Sequence, residues 1–124
     1  MSRTDHDSAD VYPLSLELLG LADELSGRFP RRYAHLAREL RTAATAVPRD
    51  LEGGAAPDAS RTARVRSFRR AECAVTECAT LLRTCERLRL GRDSTIRSAK
   101  AAVGLLVAAI LGRIRHLEVA GSGH

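Results

Sequence analysis

Apolar positions along this chain recur at spacings of three and four, and no segment alternates in the way a half-buried β-strand would. Leu14, Leu18, Leu21 and Leu25 share one helical face, with Glu17, Asp23 and Glu24 turned elsewhere, which predicts an amphipathic helix that starts near Pro13 and ends at Gly27 and Pro30. A second helix is expected from about Pro30, with Leu36, Leu40, Ala43, Val47 and Leu51 on one side. Pro48 falls inside that pattern, lacks the N–H that would bond the Ala44 carbonyl, and predicts a kink. The run Gly53, Gly54, Ala55, Ala56, Pro57, Asp58 reads as a loop.

A third helix is expected from about Ala59 to Leu90, with Phe68, Ala71, Val75, Cys78, Leu82 and Cys85 as its seam and Gly91 as its C-cap. Asp93 or Ser94 would then cap a fourth helix reaching about Glu118. Four helices with short connections predict an all-α fold, an antiparallel up-down four-helix bundle spanning residues 12–118 between polar tails expected to be disordered at 1–11 and 119–124.

Helix four carries more apolar surface than such a bundle needs. Its seam is Ile96, Ala99, Val103, Leu106, Ile110 and Leu117, yet every residue from Ala101 to Gly112 is apolar or glycine. Gly104, Ala108 and Gly112 form a second stripe of small residues, extended by Leu105, Val107 and Leu111. The oligomer interface is therefore expected at Gly104, Leu105, Ala108, Leu111 and Gly112, because small residues let a second helix approach closely.

Composition fits helices rather than sheets: 44% of residues are hydrophobic but only 3% are aromatic and there is no Trp, so the core falls to Leu, Ala, Val and Ile. Cys73, Cys78 and Cys85 form neither a disulfide framework nor a CxxC pair and read as reduced thiols. The opening segment has three aspartates and no apolar run, and no stretch reaches the 18 or so consecutive apolar residues of a membrane span. A cytoplasmic protein without a membrane partner is expected.

The net charge is +5, the basic residues are all Arg except Lys100, and the charge is uneven. Residues 1–30 carry −4 and the remainder +9, a basic body that points to a polyanionic partner.

The order of these features resembles a known family. Phe29 and Pro30 open helix two, His35 to Gly54 reads HLARELRTAATAVPRDLEGG, and an Arg-rich third helix and an apolar fourth follow. This resembles the bacterial four-helix-bundle proteins encoded in intervening sequences of 23S ribosomal RNA genes, which are related to the accessory variability protein of diversity-generating retroelements. Leu40, Arg41, Ala43, Ala44, Val47, Pro48, Leu51 and Gly54 keep the character of the family segment LRRAAVSIPSNIAEG, whereas Asp50, Glu52 and Gly53 replace its Asn, Ala and Glu. The resemblance implies a homopentameric ring with a basic surface that binds nucleic acid. For the retroelement relative it also implies docking on a reverse transcriptase and its template RNA, so an accessory adaptor for a reverse transcriptase is the alternative function.

Arg61, Arg64, Arg66, Arg69 and Arg70 open helix three with no acid among them, and are expected to stand off the Phe68 seam. Arg38, Arg41 and Arg49 share one face of helix two. Guanidinium groups hold phosphate oxygens bidentately without reading bases, so these eight arginines are the candidate contacts to an RNA or DNA backbone. Tyr12, Phe29, Tyr33 and Phe68 sit at helix starts or on seams, which disfavours base stacking as the driving force. The histidines are scattered, Cys78 and Cys85 fall on a core seam, and Gly53 and Gly54 lack the Lys-Ser/Thr of a phosphate loop. No catalytic residue, metal or cofactor is expected.

Overall fold

A computed structural model of the chain describes the backbone of residues 3–122 and the side chains of 11–121. The described residues form four helices, α1 (Arg3–Ser26), α2 (Ala34–Ala55), α3 (Arg61–Leu88) and α4 (Asp93–Ser122), with a 3-10 turn at Arg31–Tyr33 leading into α2. Among the described residues each helix packs on the one before it and α4 closes back onto α1, while neither diagonal pair brings its backbones close. The Tyr12 hydroxyl donates to Glu52 at 3.0 Å, the Ser26 hydroxyl to the Ala37 carbonyl at 3.4 Å, and Thr95 to Glu24 at 3.0 Å. These links put the start of each helix beside the end of its neighbour, the arrangement of an up-down bundle.

The core is aliphatic, as the composition requires. All six expected seam positions of α3 are buried, as are Leu36, Leu40, Ala43, Val47 and Leu51 on α2 and all six of α4, to which Ile114 and Ala102 are added. On α1 the buried face is Val11, Ser15, Leu18, Ala22 and Leu25, with Leu14 and Leu21 only half-buried at its margin. Counting leucines alone rotated that face, because Ser15 and Ala22 fill places where the neighbouring helices come close. The Ser15 hydroxyl donates to the Tyr12 carbonyl at 2.6 Å, which satisfies it inside the core.

Several helix ends differ from the expectation. α1 runs through Pro13 from Arg3, and α4 reaches Ser122, so helix extends into both segments read as tails; residues 1, 2, 123 and 124 lie outside the described residues. α2 passes Pro48 and takes in Gly53 and Gly54, so the loop starts only at Ala56. Packing explains this: a Cβ at Gly54 would lie 2.6 Å from the Phe68 ring, and one at Gly53 would lie 2.6 Å from the Ser67 hydroxyl. The paired glycines let α2 and α3 approach at their shared end. The Ser60 hydroxyl caps α3 by accepting from Ala63 N–H at 3.1 Å. At the other end Arg89, not Gly91, occupies the left-handed C-cap position, with φ 58°, and its N–H bonds the Glu86 carbonyl. Gly91 is also left-handed, at φ 80°, and a Cβ there would strike Leu25.

α4 serves two faces. Toward the bundle it presents its seam; outward, Gly104, Leu105 and Ala108 are exposed, and Leu111 and Gly112 half-buried. Leu105 is 62% exposed, and a Cβ added at Gly104 or Gly112 would meet nothing within 4 Å. Because both faces are apolar, Asp93–Gly121 is by length and composition alone apolar enough to cross a membrane, although 39% of its most apolar 18 residues are buried in the bundle. Its unbroken apolar run is only residues 101–112, short of the 18 or so consecutive apolar residues of a span, and the buried share is the bundle seam.

Candidate nucleic-acid interface

The eight arginines singled out from sequence do not form one uniform surface. On α2, Arg38, Arg41 and Arg49 all point outward, opposite the Leu36 to Leu51 seam. On α3 the cluster divides. Phe68 minus four is Arg64 and Phe68 minus seven is Arg61, so these two continue the core seam past its last apolar residue instead of standing off it. Arg66, Arg69 and Arg70 occupy the outer arc and are exposed.

Position decides partner. Arg64 is half-buried and its Nε donates to the Gly54 carbonyl at 2.8 Å, so it satisfies a free carbonyl at the end of α2. Arg61 is exposed and packs against Gly121, where an added Cβ would collide with its guanidinium. Asp50 is buried and takes two cations on one oxygen, Arg49 Nε at 3.6 Å and Arg70 Nε at 3.7 Å, while Arg70 also donates to the Ser67 hydroxyl at 3.0 Å. Arg69 pairs with Glu118 of α4 at 3.2 Å, and Arg41 with Asp23 of α1 at 3.7 Å. Arg38 and Arg66 make no ion pair with a described residue.

The short-range spacing of arginines could not reveal these partners, since Asp23, Asp50 and Glu118 come from three other stretches of the chain. The pairs are mostly exposed, so they cost little to exchange for phosphate: Arg49 and Arg70 keep 72% and 56% of their side-chain surface open. The α2–α3 surface thus retains donors for a polyanion, with Arg38 and Arg66 uncommitted and Arg49, Arg69 and Arg70 exchangeable, while Arg64 is structural.

Six further arginines come together that the sequence reading did not single out. Arg28, Arg31 and Arg32 lie in the α1–α2 turn, Arg87 in the last turn of α3, and Arg89 and Arg92 in the α3–α4 turn, all exposed. Leu25 beside Gly91, and Thr95 bonded to Glu24, place both turns at the same end of the bundle. The signal was available, because the first and third turns of an up-down bundle share an end.

Among the described residues no three of His, Cys, Asp and Glu converge as metal ligands would. Cys78 and Cys85 are buried in the seam, where loss of solvation pushes their thiols up to about 12 and about 11 and keeps them protonated; Cys73 is exposed. Tyr12 is raised by the hydrogen bond from its hydroxyl to the Glu52 carboxylate. None of these groups faces a second reactive partner.

No protein-family model matches the chain, and no curated protein matches it.

Proposed function

We propose that this chain is a non-enzymatic, homo-oligomeric, cytoplasmic scaffold that binds nucleic acid through the phosphate backbone. The observation that carries this reading is the exposed arginine surface of α2 and α3, on which Arg38 and Arg66 have no acidic partner among the described residues and Arg49, Arg69 and Arg70 hold theirs only loosely. Planar guanidiniums spread over a helical face fit successive phosphates, and with no exposed aromatic ladder beside them they favour backbone recognition over base readout.

The self-association in this proposal is supported by α4. The outward stripe lies off the bundle seam: Gly104, Leu105 and Ala108 are exposed, Leu111 and Gly112 half-buried, and a Cβ added at Gly104 or Gly112 would meet no described residue within 4 Å. Burying it against another copy removes apolar surface from water, and a closed ring, five-membered by the family resemblance, would multiply the arginine field.

The purified chain tests both parts. With two Tyr and no Trp it absorbs weakly at 280 nm, so co-purified nucleic acid would dominate the spectrum. Light scattering after size exclusion should give a multiple of the 13.4 kDa chain, and a labelled RNA should bind at low salt and be released as salt rises. A monomer that ignores RNA at low salt overturns the proposal.

A further inference from the structure

We infer that the end of the bundle carrying the α1–α2 and α3–α4 turns is itself a phosphate-backbone binding surface, and that it supplies more of the affinity for nucleic acid than the α2–α3 flank does. The inference rests on the nucleic-acid reading above and assigns it a second, distinct location.

Three observations converge on that end. The first is charge density. Arg28, Arg31, Arg32, Arg87, Arg89 and Arg92 are all exposed, and none makes an ion pair with another described residue. On the flank, by contrast, five of the eight arginines already hold a carboxylate or a carbonyl.

The second is that neighbouring acids are already engaged. Asp23 pairs with Arg41, Glu24 accepts from the Thr95 hydroxyl, and Glu86 accepts from Lys100 at 3.1 Å. Asp93, the first residue of α4, directly follows Arg92, and the segments 27–33 and 89–92 between the helices contain no acid. Axes of packed helices lie about 8–10 Å apart, so two turns spanning opposite edges of one bundle end fall within about a Debye length at physiological salt. The two triplets therefore act on a polyanion as one field.

The third is that the arginines are held outward. The Arg32 guanidinium stacks 5.1 Å from the centre of the Tyr33 ring. Arg89 takes a left-handed backbone, φ 58°, that side-chain-bearing residues rarely adopt, and it stays exposed there while its N–H completes the α3 cap. Among large apolar residues of the two turns only Leu88 is notably exposed, so the surface lacks the apolar anchors of a protein-binding hot spot and fits a chain of phosphates.

The experiment is a salt titration of binding to a labelled single-stranded RNA, using the full chain. One variant carries Arg28→Gln, Arg31→Gln and Arg32→Gln. A second carries Arg87→Gln, Arg92→Gln and Arg89→Asn, because Asn tolerates the left-handed position. A flank variant carries Arg38→Gln and Arg66→Gln. Each single-strand phosphate contact contributes about 0.7 to the slope of log affinity on log salt, so full engagement lowers that slope by about 2.1 for each turn variant and by at most about 1.4 for the flank variant. Matched Lys variants of both turns should restore the slope, which separates lost charge from damaged folding. If the turn variants keep the wild-type slope while the flank variant loses it, this inference falls and the nucleic-acid reading stands. If the wild-type chain does not bind the RNA at low salt, both fall. Equal binding of polyglutamate at the same salt would also overturn the assignment, since any polyanion would then suffice.

Discussion

Arg70 Nε lies 3.7 Å from the Asp50 carboxylate across the α2–α3 seam, and Arg49 approaches the same oxygen at 3.6 Å. Asp50 is thus a buried anion that holds two of the arginines read from sequence as phosphate ligands. At rest, therefore, those two arginines are partly neutralised. Asp50→Asn keeps the side-chain shape and removes the charge. The expected outcome is a steeper salt dependence of RNA binding, by about 0.7–1.5 in slope, at a cost in stability of about 1 kcal/mol. An unchanged slope in the titration would show that Arg49 and Arg70 do not reach the nucleic acid.

Arg64 and Arg66 are two residues apart and should behave oppositely. Arg64 bonds the Gly54 carbonyl at 2.8 Å, a charge-assisted bond in a half-buried place, so Arg64→Gln should lower stability by about 1–2 kcal/mol and leave the RNA salt slope nearly unchanged. Arg66→Gln should leave the melting curve within about 0.5 kcal/mol and reduce the slope by about 0.7. Paired thermal melts and salt titrations check both.

Gly54 and Leu105 separate packing inside the chain from the proposed packing between chains. Gly54→Ala drives a Cβ into the buried Phe68 ring and should cost about 1–3 kcal/mol. Leu105→Glu changes a side chain that is 62% exposed, so helicity should persist while the particle mass measured by light scattering falls to that of one chain. Retention of the multimer by Leu105→Glu would move the subunit contact away from α4.

The buried thiols predict an alkaline loss of stability. Cys78, held up chiefly by burial and secondarily by the Glu77 charge, and Cys85, held up by burial, stay protonated in the fold, to about 12 and about 11, while in the unfolded chain they ionise near their ordinary value of 9.0. The unfolded state therefore sheds protons first. Stability from this source is complete below about pH 9 and is lost progressively as pH rises toward 11–12. Denaturant midpoints across that range should fall, and Cys78→Ala with Cys85→Ala should flatten the trend. Near neutral pH a thiol reagent should label Cys73 alone until the chain unfolds.

Helix number, helix order and the core faces of α2, α3 and α4 follow from the sequence by itself, because burial of a helix face leaves a repeat of three and four that leucine, valine and alanine register directly. The outward apolar stripe of α4 was equally legible, since no single bundle needs a helix apolar on both sides. Where a buried face used Ser15 and Ala22 in place of leucine, periodicity misplaced it, and where Gly53 and Gly54 served close packing they looked like a loop.

The arginines mark the other boundary. Their number and clustering belong to the sequence, but whether a guanidinium is a ligand, a cap or half of an ion pair depends on which groups the fold brings within about 4 Å. Asp50, Glu118 and the Gly54 carbonyl reach Arg70, Arg69 and Arg64 only after α2, α3 and α4 have packed. The meeting of Arg28, Arg31 and Arg32 with Arg87, Arg89 and Arg92 is likewise a product of tertiary structure, because charges more than fifty residues apart in the chain share one field only when antiparallel packing puts their turns at the same end.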